Sequence, residues 1–193
     1  MTETQMRIRK KTGKVLVPGG ELAYTYFDTP ESQDNVPLIV IHGGPAISHH
    51  YLLDLSLLAT NRPIIFYDQL GCGQSVCSDD NMLWTMPGFA ERLEALRASL
   101  NINKMQLFGH SVGAAIAIEY TLAYPNHTDR LILASPFLSA ALHTQEATTL
   151  LDLMPKAQRA CILDAEKAQQ LDHPDYQAAK KSYSQQFVCR LDP

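Results

Sequence analysis

Four short apolar runs constrain the fold of this 193-residue chain more than any other feature. They are Pro37-Leu38-Ile39-Val40-Ile41, Ile64-Ile65-Phe66-Tyr67, Met105-Gln106-Leu107-Phe108 and Leu131-Ile132-Leu133-Ala134. Each is too short for a helix and too continuously apolar for a half-exposed strand, so each reads as a strand buried on both faces. Helix-length stretches separate them. One spans residues 87–100, where Phe89, Leu93, Leu96 and Leu100 share one face. An alanine-rich helix is expected over 112–123 and a further helix over 49–59. Strands alternating with helices require a mostly parallel sheet with helices on both faces.

The ends of the chain read differently. Residues 6–27 predict two strands joined at Pro18-Gly19-Gly20. Arg7, Arg9, Lys10, Lys11 and Lys14 read as the solvated face of that hairpin. After Pro136 there are helical segments and no buried strand. Leu150, Leu151, Leu153 and Met154 mark one helix, and Tyr176 to Phe187 another. The expected division is therefore a core over residues 1–136 and a partial helical subdomain over 137–193.

Composition narrows the function classes. The net charge is −4, which argues against nucleic acid as the main partner, because phosphate binding wants a basic face. No apolar run approaches the ~20 residues of a membrane span, and the polar start of the chain does not read as a secretory signal. Cys72, Cys77, Cys161 and Cys189 have no C-x-x-C spacing. They read as thiols in a reducing cytoplasm with no zinc site.

Gly109-His110-Ser111-Val112-Gly113 sits between the third apolar run and the alanine-rich helix. That is the strand-to-helix context a nucleophilic serine needs. Small residues two before and two after the serine let the neighbouring elements approach. The helix start then aims free N–H groups at a developing oxyanion. Ser111 is the expected nucleophile and Val112 N–H an expected oxyanion donor. A serine here suits acyl transfer, where displacement at an epoxide or halide would use a carboxylate. Glycines after the first run let a backbone N–H approach a substrate carbonyl closely.

Three motifs then carry a resemblance. His42-Gly43-Gly44-Pro45, Tyr67-Asp68-Gln69-Leu70-Gly71-Cys72-Gly73-Gln74-Ser75 and Gly109-His110-Ser111-Val112-Gly113 resemble, in this order, the proline iminopeptidase family of α/β-hydrolases. The match runs from about residue 20 into the helical segment. It implies a serine peptidase that releases N-terminal proline, or another small residue, from peptides with a free N-terminus. It also implies no metal, no organic cofactor and a helical cap after the strand ending at Ser135. On this pattern Gly44 is the second oxyanion donor and Gly43 contacts substrate. Ala46 and Ala114 stand where the family usually has glycine.

The fold places a catalytic acid and then a histidine after the serine. Candidates are His127, His143 and His173, with Asp129, Asp152, Asp164, Asp172, Asp175 and Asp192. None is expected to complete a triad. His127 precedes its strand, and the helix after Ser111 carries the chain back across the sheet at about 1.5 Å per residue. His143 begins the cap and His173 lies in a polar turn. The fold class expected is thus an incomplete α/β-hydrolase, with the acid and base after residue 193 and the strand at 131–134 left as an open, aggregation-prone edge. Other readings are a related hydrolase of esters or amides, and an inactive fragment. Among the remaining polar residues, His110 is expected to point away from substrate, His42 to brace its loop, His49 and His50 to cap or solvate a helix, and Asp68 to hold its glycine loop.

Overall fold

A computed structural model describes residues 7–44, 47–78 and 84–190. The expectations for Ala46, Asp192 and the first six residues fall outside these. The chain divides into two compact units, Met1–Leu138 and Ser139–Pro193.

The first unit is built on one sheet. Strands β1 (Arg9–Val17) and β2 (Gly20–Asp28) form the expected antiparallel hairpin. β3 (Leu38–Ile41), β4 (Ile64–Tyr67), β6 (Met105–His110) and β7 (Thr128–Ala134) run parallel to one another. A two-residue strand, β5 (Val76–Cys77), pairs with the start of β2. The order across the sheet is β1-β2-β4-β3-β6-β7.

The two faces of the sheet explain why the central runs are apolar throughout. Side chains alternate along a strand, so Ile39, Ile41, Ile65, Tyr67 and Leu107 point to one face. There they pack on Ala90, Leu93 and Leu96 of α1 (Met86–Ser99) and on Ile116, Ala117 and Tyr120 of α2 (Val112–Ala123). Leu38, Val40, Ile64 and Phe66 point to the other face, against Leu52, Leu53, Leu55 and Ala59. Fully burying each such side chain contributes roughly 1.5–3 kcal/mol.

The segment carrying those leucines, His49–Thr60, is wound as a 3-10 helix and not as the α-helix expected over 49–59. His49, Leu52 and Leu55 recur every third residue, which is the 3-10 repeat. Helix α1 is anchored at its start by Thr85, whose hydroxyl accepts the Gly88 N–H at 3.2 Å.

The run at 131–134 forms the open edge expected of it, and it is not buried on both faces as its apolar run alone predicts. Leu131, Ile132 and Leu133 are 36, 45 and 39 % exposed. β7 pairs with β6 alone among the described strands, so its outer edge is open. An apolar run reports that a strand suits burial; burial itself depends on a neighbour.

The second unit contains α3 (Ala140–Asp152), α4 (Lys156–Ala168) and α5 (Pro174–Phe187). Its small core joins Ile162 of α4 to Tyr176 and Ala179 of α5. The Glu166 carboxylate accepts from Lys180 Nζ at 3.3 Å and from Tyr176 Oη at 3.3 Å.

Candidate active site

One residue, Ser111, separates the end of β6 from the start of α2. The chain must reverse there within a single peptide. Ser111 consequently adopts φ 55° and ψ −120°, a conformation that a non-glycine residue enters only under strain. Its N–H donates to the Ala134 carbonyl at 3.0 Å, and its carbonyl accepts from Ala114 at 3.0 Å and Phe137 at 3.1 Å. The end of β7 therefore helps to hold the turn.

The flanking glycines are explained by space. A Cβ on Gly109 would lie 2.5 Å from Ala114 Cα, and one on Gly113 would overlap the Ile41 and His42 carbonyls. The helix start thus rests directly on the loop after β3. Val112 opens the helix, so its N–H is among the first-turn donors that the helix cannot satisfy itself.

That loop lies beside the serine. A Cβ on Gly43 would be 3.1 Å from Ser111 Cβ. Gly44 follows with φ 149°, a backbone state available to glycine. His42 braces the loop from beneath, as expected from its position. Its Nδ1 lies 2.5 Å from the Gly43 carbonyl, and its Nε2 accepts the Gln69 N–H at 3.0 Å. Those partners set the tautomer, with the proton on Nδ1. Burial lowers the imidazole's pKa, only partly offset by its bond to Gly43, so the neutral form is favoured.

Gly43 N–H donates to Tyr51 Oη at 2.8 Å, and the same oxygen is 2.7 Å from His110 Nδ1. His110 therefore faces the loop after β3. His110 was expected to point away from substrate; the structure shows its side chain turned toward Gly43. Nothing in the spacing of residues 43, 51 and 110 signals this link.

Asp68 holds more than its own loop. Oδ2 accepts the Gln74 N–H at 3.0 Å, and Oδ1 accepts from His49 N at 3.1 Å and His49 Nδ1 at 2.7 Å. Burial would raise the carboxyl pKa, but these hydrogen bonds outweigh it and hold it down at about 2. His49 is buried in this pair and stacks on Phe66, while His50 stays exposed with its Nδ1 2.5 Å from Ser48 Oγ.

Of the histidines after Ser111, His127 is in the first unit and His143 and His173 are in the second. His127 Nδ1 bonds the Asn103 carbonyl at 2.9 Å, next to the start of β7, whereas Ser111 follows the end of β6. His173 caps α5, its Nδ1 accepting the Asp175 N–H at 3.3 Å, and His143 lies within α3. Asp129 accepts from Gln106 and Asp152 pairs with Arg159. Among the described residues, no group of three His, Cys, Asp or Glu is placed to hold a metal ion.

The arrangement offers a strained serine, a helix-start amide beside it and a glycine loop against it. These are the parts needed to attack a carbonyl and to stabilise the oxyanion that results. Comparison with known proteins shows the family of the fold. Residues 36–193 match the family model described as alpha/beta hydrolase fold. The chain is 37 % identical over 180 residues to the proline iminopeptidase of Heyndrickxia coagulans, covering 93 % of this chain and 62 % of that protein. It is 38 % identical over 183 residues to the proline iminopeptidase of Lactobacillus helveticus, with the same coverage of 93 % and 62 %. Among solved structures, the proline iminopeptidase of Mycobacterium smegmatis superposes with a TM-score of 0.85 at 30 % identity, covering 95 % of this chain and 63 % of that one. The chain thus spans a little over three-fifths of the length of the relatives it matches.

Proposed function

We propose that this chain, which belongs to the α/β-hydrolase fold family, is a serine aminopeptidase that releases N-terminal proline or another small residue from peptides. Ser111 is the nucleophile: its Oγ attacks the carbonyl of the N-terminal residue, the amine leaves, and water then hydrolyses the acyl-enzyme. Val112 N–H and Gly44 N–H stabilise the oxyanion, and Gly43 lies where substrate passes. The observation that carries this reading is the strained Ser111 packed against the glycine loop after β3. One oxyanion donor is worth roughly 3–4 kcal/mol of transition-state stabilisation. The similarity to proline iminopeptidases supports the choice of substrate.

A second reading has its own observation. His127 and His173, which follow Ser111 in the chain, bond the Asn103 carbonyl and the Asp175 N–H and do not serve it as the base that a serine nucleophile needs. On that reading the chain takes up an acyl or phosphonyl group slowly and does not turn over. Hydrolysis of a proline arylamide and of a short acyl ester by the 193-residue chain separates the possibilities. Turnover of the arylamide that disappears in Ser111→Ala supports the aminopeptidase. Turnover of the ester alone indicates a related esterase. A stable adduct without turnover of either supports the second reading.

A further inference from the structure

The geometry points to Tyr51 as a positioning residue of this site, whose phenol pins Gly43 so that Gly44 N–H and not Gly43 N–H is offered to the reacting carbonyl. The inference rests on the reading of Ser111 as nucleophile. Gly43 is the loop residue packed against the serine, 3.1 Å from Ser111 Cβ by the position a Cβ would take. Its amide would therefore compete for the oxyanion if it were unoccupied. It is occupied: the N–H donates to Tyr51 Oη at 2.8 Å.

The phenol has one proton of its own. Because an amide can only donate, the oxygen accepts from Gly43, and its remaining hydrogen-bonding capacity meets His110 Nδ1 at 2.7 Å. His110 precedes the nucleophile in the chain, so one hydroxyl ties the loop after β3 to the turn after β6. Burial does not hold the ring in place, since Tyr51 is 48 % exposed. A phenol kept only for packing would turn its hydroxyl to water. This one is held by two hydrogen bonds and by an edge-to-face contact with the His110 ring, at 5.4 Å between centroids. Its own backbone is fixed two residues earlier, where His49 is locked to Asp68. The route from the glycine loop at Asp68 to the serine therefore runs Asp68, His49, Tyr51, Gly43.

The test uses the 15N-labelled 193-residue chain, with Tyr51→Phe and His110→Ala, before and after reaction with a fluorophosphonate. Tyr51→Phe removes only the hydroxyl, and amide exchange at Gly43 is expected to rise about fivefold or more. His110→Ala leaves the Gly43 bond in place, and exchange there is expected to change less. In the wild type the phosphonyl oxygen should move the Gly44 and Val112 amide resonances and leave Gly43 unmoved. In Tyr51→Phe the Gly43 resonance should move as well. Unchanged Gly43 exchange in Tyr51→Phe overturns the pinning. A Gly43 resonance that follows the adduct in the wild type overturns the donor assignment. No adduct on wild-type Ser111 removes the nucleophile reading and the donor assignment with it, while Gly43 exchange still decides whether Tyr51 pins the loop.

Discussion

His49 Nδ1 donates to Asp68 Oδ1 at 2.7 Å, with the two side chains 8 % and 1 % exposed. The pair joins the start of the 3-10 segment to the loop after β4, across 19 residues of sequence. A buried carboxylate persists as an anion only when its oxygens are satisfied, and here three donors do so.

This bond makes stability depend on pH. The native Asp68 carboxyl titrates at about 2, below the ~3.9 of an unfolded aspartate. Its contribution is therefore fully present above about pH 5 and is lost as pH falls through 4 toward 2. The difference corresponds to roughly 2.5 kcal/mol at neutral pH. Urea unfolding of wild type and Asp68→Asn should differ by at least this amount at pH 7, and the gap should narrow at pH 3. An equal gap at both values would show that the charge of Asp68 contributes nothing.

Gly113→Ala should damage both fold and site. The new methyl group would press on the Ile41 and His42 carbonyls, which are backbone and cannot rotate aside. Overpacking of this kind costs about 1–3 kcal/mol. Thermal unfolding should show the loss. Reaction of Ser111 with a fluorophosphonate should slow further than in Leu93→Ala, which is destabilised by a core cavity away from the serine.

Ile132→Lys should improve solution behaviour. Ile132 is 45 % exposed on the open strand β7. The other sheet edge, β1, carries Lys10, Lys11 and Lys14, charges that discourage strand pairing. Light scattering of the wild type over time should show association, and the lysine variant should reduce it with little change in melting temperature. Equal scattering from both would place the sticky surface elsewhere.

What the sequence made legible follows from the range of each interaction. β3, β4 and β6 were readable because a strand covered on both faces has no polar position. The elbow was readable because strand, serine, glycines and helix lie within a few residues. β5 is only Val76–Cys77, too short to show a period. Helix α4 has only Ile162 and Leu163 as large aliphatic side chains, its other apolar positions being alanine and cysteine, so no leucine repeat marks it as one marked α1. The exposure of β7 was readable from the fold pattern and not from its apolar run, which records only that the strand suits burial. The Tyr51 bond to His110 spans 59 residues and joins two side chains that local spacing treats as unrelated.

Ser111, at the turn between β6 and α2, is proposed as the reactive group of this chain. Intact-mass measurement after fluorophosphonate treatment tests it most directly, with peptide mapping of the product and Ser111→Ala as the control. One adduct per chain is expected, located on Ser111 and missing from the variant. No adduct on the folded wild type, or an adduct of equal yield on Ser111→Ala, would contradict it.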